Sequence, residues 1–335
     1  MKKTTLTVFL MVLLALQFSI AQSQPGEYKV TRMISVDGNG SWDYLTVDKP
    51  AQHLYISHGT CVDVVDLKTD KVIGQIPGTT GVHGIAIVQA LNKGFITAGR
   101  LDSVIVFDLK TLKVTAKIKT GKNPDAILYD AFSNRIFTFN GRDNSVTAID
   151  AKTNMVVGTL PVSGKPEAAV TNGKGTIFCN IEDKSTIVKF DAVSLKIVAE
   201  WPLDPGKEPS GLDYDLKNER LFSACSDSKQ IVVLNAVSGK VVATLPMGDH
   251  CDGIIFIPSD HNAISSNGDG TLTVVHQESP DVYKVVQTVP TRKSARTITY
   301  DDTTGNIYLP SAEATTENGK RSIVPGSFKI LVVSR

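Results

Sequence analysis

Polar residues recur at one position of a repeated phrase, and their chemical types could form a binding or catalytic site. The phrase reads GKNPDAILYD from Gly121, GKPEAAVTN from Gly164 and GKEPSGLDYD from Gly206, with weaker copies from Gly81 and Gly248. Carried through the whole chain at spacings of 40 to 44 residues, the polar position holds Asp43, His83, Asp125, Glu167, Ser210, Asp252 and Arg296. Four carboxylates, one imidazole, one hydroxyl and one guanidinium therefore stand at equivalent places.

These residues admit a structural and a chemical interpretation. In the structural one, they solvate a water-filled channel and cap loop N–H groups. In the chemical one, His83, Asp125 and Glu167 come from three consecutive repeats and converge as ligands of a divalent cation, with positions left open for water or substrate. Calcium, magnesium, manganese and zinc are all candidates for that cation.

Other candidate roles follow from the neighbouring positions. His83 and His250 lie in strand-entry loops and are candidates for proton transfer. The residues expected to contact a ligand are Asp43, Arg100, Arg142, Glu167, Asp252 and Arg296. The sequence contains no nucleophile-elbow, zinc-protease, P-loop or dinucleotide motif, so the mechanisms that depend on those motifs lack support.

A second phrase indicates which fold must position these residues. It appears as VDLKTDKVIGQIP from Val65, FDLKTLKVTAKIKTG from Phe107 and IDAKTNMVVGTLPVSG from Ile149, and it returns from Phe190 and Leu234. Its Asp or Asn recurs every 41 to 44 residues. Repeats of this length with short alternating apolar segments are typical of β-propeller blades. The Asp-x-x-Thr inside the phrase is predicted to hold a tight turn through backbone N–H groups.

Each repeat resolves into four short strands separated by turn clusters. Six units begin near Trp42, Val82, Pro124, Pro166, Pro209 and Cys251, and a seventh begins near Ala295 and stops one strand short. The strand-like segment 28–36 would complete the last unit beside residues 328–333 and leave no unpaired edge. The sequence therefore predicts an all-β, seven-bladed propeller of four-stranded antiparallel blades, whose last blade is closed by the N-terminal strand.

The loops between second and third strands are predicted to open on the same face as the polar strand-entry position. Their charged residues are basic in the first three repeats and acidic in the last four: His58, Arg100, Arg142, Asp183, Asp227, Asp269 and Glu313. This asymmetry could orient a polar or zwitterionic ligand, or it could be ordinary solvated loop charge. The loop 311–326 in the last repeat is far longer than its counterparts. It is interpreted either as a lid or partner contact near the channel mouth or as a disordered insertion.

The N-terminus carries a separate signal. Lys2 and Lys3 precede an apolar run from Leu6 to Leu16, and the tripeptide 19–21 fits a small-x-small cleavage site. Residues 1–21 are therefore predicted to be a secretory signal peptide, and residues 22–335 a single propeller domain. The sequence contains no second long apolar stretch, so no membrane span is predicted. The expected product is a monomer in the periplasm or outside the cell.

Composition and cysteine spacing narrow the classes further. The 335-residue chain is 41% hydrophobic and 21% charged, with 35 basic and 34 acidic residues. Nucleic acid would require concentrated positive charge, so a near-neutral chain argues against that ligand. Cys61, Cys179, Cys225 and Cys251 lack metal-binding spacings. A disulfide between Cys225 and Cys251 and buried free thiols both stay open as interpretations.

The combined pattern resembles a known family. Asp-x-x-Thr, then Val-Val-x-x-Leu/Ile-Pro, then Gly-x-x-Pro-x-Gly/Ala recur across residues 28–335 and look like the repeats of YVTN propellers, in particular of YncE-like exported bacterial proteins. The resemblance implies the propeller fold. It leaves function open, because propellers of this family serve as binding scaffolds and as enzymes, and related ones include a lyase that opens a cyclic depsipeptide antibiotic.

These observations are consistent with two functions. The first is an exported binding or scaffold protein that holds a small ligand or an envelope protein at the channel-mouth face. The alternative is a metal-assisted lyase or hydrolase on the same face. In that alternative the metal would polarise a carbonyl while His83 or His250 moves a proton.

Overall fold

The computed structural model describes residues 26–38, 40–317 and 320–335. Within these ranges the chain forms β-strands and three single-turn 3₁₀ helices, Gln89–Leu91, Gly99–Leu101 and Glu182–Lys184, and it forms no α-helix. None of the helices in the described part is long and apolar enough to cross a membrane. The segment 1–21, predicted to be a signal peptide, lies outside the described residues.

An N-terminal strand, β1 (Lys29–Ser35), precedes six complete four-stranded antiparallel blades. The first blade contains β2 (Trp42–Asp48), β3 (His53–His58), β4 (Cys61–Asp66) and β5 (Lys71–Pro77). The second contains β6 (Val82–Val88), β7 (Lys93–Ala98), β8 (Ser103–Asp108) and β9 (Val114–Lys119). The third contains β10 (Pro124–Asp130), β11 (Arg135–Asn140), β12 (Ser145–Asp150) and β13 (Val156–Pro161).

The next three blades repeat this plan without a break. The fourth contains β14 (Pro166–Thr171), β15 (Thr176–Ile181), β16 (Thr186–Asp191) and β17 (Ile197–Pro202). The fifth contains β18 (Pro209–Asp215), β19 (Arg220–Cys225), β20 (Gln230–Asn235) and β21 (Val241–Pro246). The sixth contains β22 (Cys251–Ile257), β23 (Asn262–Asn267), β24 (Thr271–Ser279) and β25 (Val282–Pro290).

The seventh blade combines both ends of the chain. Its C-terminal part contributes β26 (Thr299–Asp301), β27 (Asn306–Ser311), the hairpin strands β28 (Ala314–Glu317) and β29 (Lys320–Ile323), and β30 (Lys329–Ser334). The blade has the order β1-β30-β27-β26, and β1 runs antiparallel to β30 with Lys29 opposite Ser334 and Ser35 opposite Lys329. The N-terminal strand therefore closes the last blade. The predicted seven-bladed architecture is confirmed.

Neighbouring blades pack through the apolar side chains of their middle strands. Phe137 of the third blade meets Phe190 of the fourth edge to face at 5.9 Å between ring centroids. The rings of Tyr55 in the first blade and Phe107 in the second also contact each other, with 5.5 Å between their centroids. Both faces of a middle strand are buried against other blades, so β11 and β19 read as nearly continuous apolar runs.

The Asp-x-x-Thr phrase forms the turn between the third and fourth strands. Asp150 Oδ1 accepts hydrogen bonds from the Thr153 backbone N–H at 2.7 Å and from its hydroxyl at 2.8 Å. These bonds lower the pKa of the Asp150 carboxyl. Lys93 of the preceding blade donates to the carbonyl oxygens of Ala151 and Lys152 in this turn. The phrase therefore stabilises a turn within its own blade and a contact with the neighbouring blade.

The long insertion of the last blade is folded where it is described. Its strands β28 and β29 pair as a two-stranded antiparallel sheet. The Val324 backbone N–H donates to the Glu313 carbonyl at 2.9 Å, and Arg292 Nη2 lies 2.8 Å from a Glu313 carboxylate oxygen. Ile323 packs against the apolar cluster that contains Phe328. The hairpin is thus anchored at its base to the propeller.

All four cysteines are free. Cys179, Cys225 and Cys251 are buried, and Cys61 is half-buried. Burial raises the pKa of the Cys225 and Cys251 thiols to about 12. Of the two interpretations of these residues, the structure shows the one with unpaired thiols in a core.

Substitution of Ile34 by alanine is expected to lower the free energy of unfolding by about 2–4 kcal/mol, because its side chain is 1% exposed in the core that joins the first and last blades. Met33→Ala on the same strand removes a side chain that is 53% exposed and should change stability by less than about 0.5 kcal/mol. Urea denaturation of both variants measures the difference. Equal effects of the two substitutions would contradict the closing role of β1.

Candidate functional site

The polar strand-entry residues of the six complete blades lie in β-bulges at the start of the innermost strands. In the first blade Asp43 and its successor face the single residue Ser57, and in the second His83 and Gly84 face Thr97. The hydroxyls of Ser57 and Thr97 accept the N–H groups of Asp43 at 2.9 Å and Gly84 at 2.8 Å. A bulge re-aims the side chains that it contains. Here it brings side chains of neighbouring blades into contact.

Two carboxylates converge on one nitrogen of His83. Its Nδ1 lies 2.6 Å from Asp43 Oδ2 and 3.4 Å from Asp125 Oδ1. The three residues are half-buried, and one ligand atom from each lies within 4.8 Å of the others. Of the residues predicted as metal ligands, His83 and Asp125 are therefore brought together. The third residue of the group is Asp43, and Glu167 does not belong to it.

Burial and charge act in opposite directions on this group. Burial lowers the pKa of His83, but the hydrogen bond with Asp43 and the negative charges of Asp125 and Asp43 outweigh it, so the pKa is raised. Burial and the charge of Asp43 raise the pKa of Asp125 to about 7, and the opposing effect of His83 is smaller. Negative charge at this point of the mouth is therefore incompletely compensated.

Arg296 continues the ring on the other side of Asp43. Its guanidinium lies 3.0 Å from Asp252 Oδ2 and 3.9 Å from Asp43 Oδ1. Burial raises the pKa of Asp252 to about 6, although Arg296 acts in the opposite direction. The charge of Asp252 in turn raises the pKa of Arg296. Arg296 is thus a fixed positive charge between two carboxylates.

Glu167 lies in a separate part of the ring. Lys165 Nζ is 3.2 Å from Glu167 Oε2 and also contacts the Glu182 carboxylate. The Tyr44 hydroxyl donates to Glu167 Oε1 at 3.3 Å. Glu167 is 7% exposed, and its pKa is raised well above the ordinary value by burial first and by the charge of Asp125 second. Glu167 is therefore a buried carboxyl whose partners are Lys165 and Tyr44.

Tyr44 crosses the channel beneath the polar ring. The equivalent position in the next five blades holds Gly84, Ala126, Ala168, Gly211 and Gly253. Tyr44 extends from the first blade to Glu167 in the fourth and packs against the apolar cluster of the third and fourth blades. A cavity of about 190 Å³ on the channel axis is lined by Tyr44 and Asp252 and otherwise mostly by small or apolar residues, among them Ile85 and Ile127. The channel is therefore polar at one mouth and apolar within.

A second cavity, which we call the side cavity, opens beside the ring. It measures about 510 Å³ and is lined by Trp42, His250, Gly268, Arg296 and Ile323, together with two serines. Arg296 belongs both to the ring and to the side cavity. Because Ile323 ends β29, the hairpin of the last blade contributes to the wall.

The other predicted site residues occupy different surroundings. His250 lies in the wall of the side cavity with its side chain 78% exposed, 3.7 Å from Asp249. Arg100, in the 3₁₀ helix Gly99–Leu101, and Arg142, in a turn, are exposed. Ser210 donates to the backbone carbonyl oxygen of Cys251 at 2.7 Å. It therefore links two blades.

Three residues of the predicted split of loop charge, Asp183, Asp269 and His58, have defined partners or surroundings in the structure. Asp183 Oδ1 accepts the Lys165 backbone N–H at 2.7 Å, and Asp269 Oδ2 accepts that of Asp249 at 2.8 Å. Both carboxylates cap the strand-entry segment beside them. His58, counted among the basic loop residues, is buried with only 5% exposure. These residues support the backbone that carries the ring.

A further group of potential metal ligands contains His58, Cys61 and Asp63. His58 Nδ1 lies 2.8 Å from Asp63 Oδ2, and the imidazole stacks on Phe328 with 4.5 Å between centroids. Asp63 also accepts a hydrogen bond from Gln75 at 2.9 Å. Burial raises the pKa of the Cys61 thiol to about 11. The group therefore serves as a packed contact between the first and last blades.

Sequence reasoning missed Tyr44 and Lys165. Tyr44 carried a signal, because it is a large residue at a position where the next five repeats hold Gly or Ala. Nothing in the sequence distinguishes Lys165 in this way, since the equivalent residue of the preceding phrase is also a lysine, Lys122, and that lysine is exposed. Which of two equivalent lysines turns toward the ring depends on the local acidic partners, here Glu167 and Glu182.

Comparisons with known proteins support the fold. No protein-family model matches the sequence, and no curated protein sequence matches it. The chain is similar to a solved chain of Kuenenia stuttgartiensis hydrazine synthase, with 15% identity, a TM-score of 0.72, and coverage of 87% of this chain and 97% of that one. It is also similar to the RRP9 WD40 repeats, with 9% identity, a TM-score of 0.77, and coverage of 92% of this chain and 99% of that one. A chain of the mitotic checkpoint complex matches with 12% identity, a TM-score of 0.75, and coverage of 100% of this chain and 99% of that one. At these identities the likeness shows the propeller fold alone.

Replacing Asp43 by Asn is expected to lower the pKa of His83, because the hydrogen bond that favours the imidazolium is weakened. In the parent protein the raised pKa of His83 increases the free energy of unfolding. This contribution is complete at pH values below the ordinary histidine pKa, and it is lost as the pH rises through the raised pKa of His83. Histidine NMR titration, with His83→Gln to assign the resonance, measures the shift. The matched control is Asp302→Asn, an exposed aspartate in the turn between β26 and β27 that pairs with Lys49. An unchanged His83 titration in Asp43→Asn would refute the pairing.

Proposed function

We propose that this chain is an exported, YncE-like β-propeller that binds a small ligand with a positively charged group at the ring formed by Asp43, His83, Asp125, Glu167, Asp252 and Arg296. The observation that carries the proposal is the surplus of carboxyl groups over cations at the ring. The repeat phrases support the family assignment, and the apolar segment after Lys2 and Lys3 supports export.

The surplus has a direct chemical consequence. Asp43 and Asp125 share the single imidazole of His83, and Asp252 and Asp43 share the guanidinium of Arg296. Burial weakens the solvation of these carboxylates, so each would be stabilised by another positive charge. A ligand ammonium or guanidinium supplies that charge and its N–H donors together. Tyr44 beneath the ring limits how far such a group can enter the channel.

The mouth suits a small ligand in size as well as in charge. The side cavity beside the ring has a volume of about 510 Å³, which falls within the usual range for small-molecule sites. A lysine side chain of an envelope protein would present the same ammonium to the ring. Binding of free amines, measured without any protein partner, separates the small ligand from this alternative.

Binding of butylammonium is expected to strengthen as pH rises through about 7, because the cation must displace the proton that Asp125 holds below that pH. The charged and titratable groups that interact with Asp125 are Asp43, Tyr44, His83, Lys165, Glu167, Asp252 and Arg296. Asp125→Asn should weaken binding about tenfold and remove most of this pH dependence. Calorimetric titrations between pH 5.5 and 8.5 measure both effects. Binding that is unaffected by Asp125→Asn would contradict the proposal, and Asp302→Asn serves as the matched control.

A second candidate, the metal-assisted lyase or hydrolase, is favoured by one observation. Asp43, His83 and Asp125 each offer a ligand atom within 4.8 Å of the others, and one imidazole with two carboxylates suits a divalent cation. Asp43 would hold the imidazole in place, while the metal would polarise a carbonyl of the substrate.

Elemental analysis separates the two candidates. After purification without chelators, we expect less than about 0.1 divalent metal ion per chain, since the imidazole of His83 already lies in hydrogen-bonding position between the carboxylates of Asp43 and Asp125. The Asp43→Asn/His83→Gln double variant should give the same low value. A stoichiometric metal that is lost in the double variant would favour the enzyme over the binding protein.

A further inference from the structure

We infer that the ligand is a zwitterion whose negatively charged group lies in the side cavity, on the outer side of Arg296. This inference rests on the proposed function, in which the ring binds the positive group. It assigns the side cavity a role of its own and names the ligand class: amino carboxylates, from free amino acids to short peptides.

The chemistry of the side cavity is opposite to that of the ring. Among its described lining residues, Arg296 and His250 provide cationic or N–H donor groups, the serines provide hydroxyls, and no carboxylate takes part. Arg296 places only two of its terminal nitrogens near Asp252 and Asp43, so donors of its five N–H groups remain for another acceptor. Its side chain is 44% exposed. A carboxylate is the group that a guanidinium binds with two parallel hydrogen bonds.

The cavity is kept open by local backbone geometry. Gly268 lies in its wall, and a Cβ there would come within 3.0 Å of both the Cβ and the carbonyl oxygen of His250. His250 itself has a φ of 57°, in the left-handed region that non-glycine residues seldom adopt. This conformation places an exposed imidazole in the wall. A larger residue at position 268 would therefore push His250 out of its present place.

An unpartnered donor in the same wall gives independent support. Trp42 is 8% exposed, and its indole N–H has no acceptor among the described residues. A buried donor without an acceptor destabilises the protein, because its desolvation is not compensated. Because Trp42 lines the side cavity, the inference assigns a ligand oxygen as the acceptor of this N–H in the complex.

Arg296 fixes the relation between the two compartments. One side of its guanidinium faces Asp252 and Asp43 in the ring, and the residue also lines the side cavity. A ligand with an ammonium beside Asp43 and a carboxylate on Arg296 would thus complete a line of alternating charges. Such a line stabilises both ligand charges at once, which neither a simple amine nor a simple acid can achieve.

The test compares ligands that carry one or both charges. Glycine, 4-aminobutyrate and 6-aminohexanoate are titrated into the mature protein beside butylamine and butyrate, with calorimetry and tryptophan fluorescence as readouts. At least one zwitterion is expected to bind tenfold or more tightly than butylamine and to perturb the emission of Trp42. Trp201, on β17 of the fourth blade, is the remote chromophore, and Trp201→Phe isolates the Trp42 signal.

Variants of the side cavity locate the negative group. Arg296→Lys keeps a positive charge beside Asp252 but loses the planar fork, and it should remove most of the tenfold advantage of the zwitterion over butylamine when both ligands are measured on the same variant. His250→Asn tolerates the positive φ and should reduce the advantage by a smaller factor. Arg32→Lys is the matched control, because it makes the same exchange beside a carboxylate, Asp70, on the outer strand β1.

The outcomes distinguish the inference from the function on which it rests. If butylamine binds through Asp125 and no zwitterion binds more tightly, the inference is overturned and the cation-binding function stands. If a zwitterion binds more tightly but Arg296→Lys leaves its advantage intact, the placement in the side cavity is wrong. If neither amines nor zwitterions bind, both the function and the inference fail.

Discussion

The crowding of seven innermost strands around one axis is the constraint from which the site follows. Each complete blade begins with a bulge that carries a polar residue and, in five of them, a small residue after it, because side chains at that level would collide. A Cβ on Gly84, for example, would lie 2.8 Å from Ile127 of the next blade. Polar side chains of neighbouring blades are therefore forced together at the mouth, and Tyr44 uses the space that the small residues leave.

This geometry creates an electrostatic imbalance that sequence charge does not reveal. The whole chain is nearly neutral, yet the carboxyl groups at the mouth share too few cations and lose part of their solvation. The same blades keep other carboxylates in polar turns, where hydrogen bonds to N–H groups lower the pKa, as in Asp150. The contrast between these two environments identifies the ring as a place where an additional positive charge lowers the free energy.

Repeat period and strand pattern were sufficient to predict the fold, including the closing strand β1, because every blade uses the same local rules. The polar position was found for the same reason. The partners of each polar residue were not predictable in this way. Whether Glu167 joins His83 or pairs with Lys165 depends on distances across the channel, and His58 became a core residue because Phe328 from the far end of the chain covers it. The side cavity brings together residues more than 200 positions apart, such as Trp42 and Ile323, which periodicity does not encode.

The most direct measurement is a carboxyl-detected NMR titration of Asp125 in the ligand-free protein. The account predicts a midpoint near pH 7, set by burial and by the charge of Asp43, and a fall toward the ordinary aspartate value when an amine is bound. A midpoint near the ordinary value of about 3.9 without ligand would mean that the ring is already balanced. In that case the mouth would have no electrostatic reason to bind a cation, and the central claim would be contradicted.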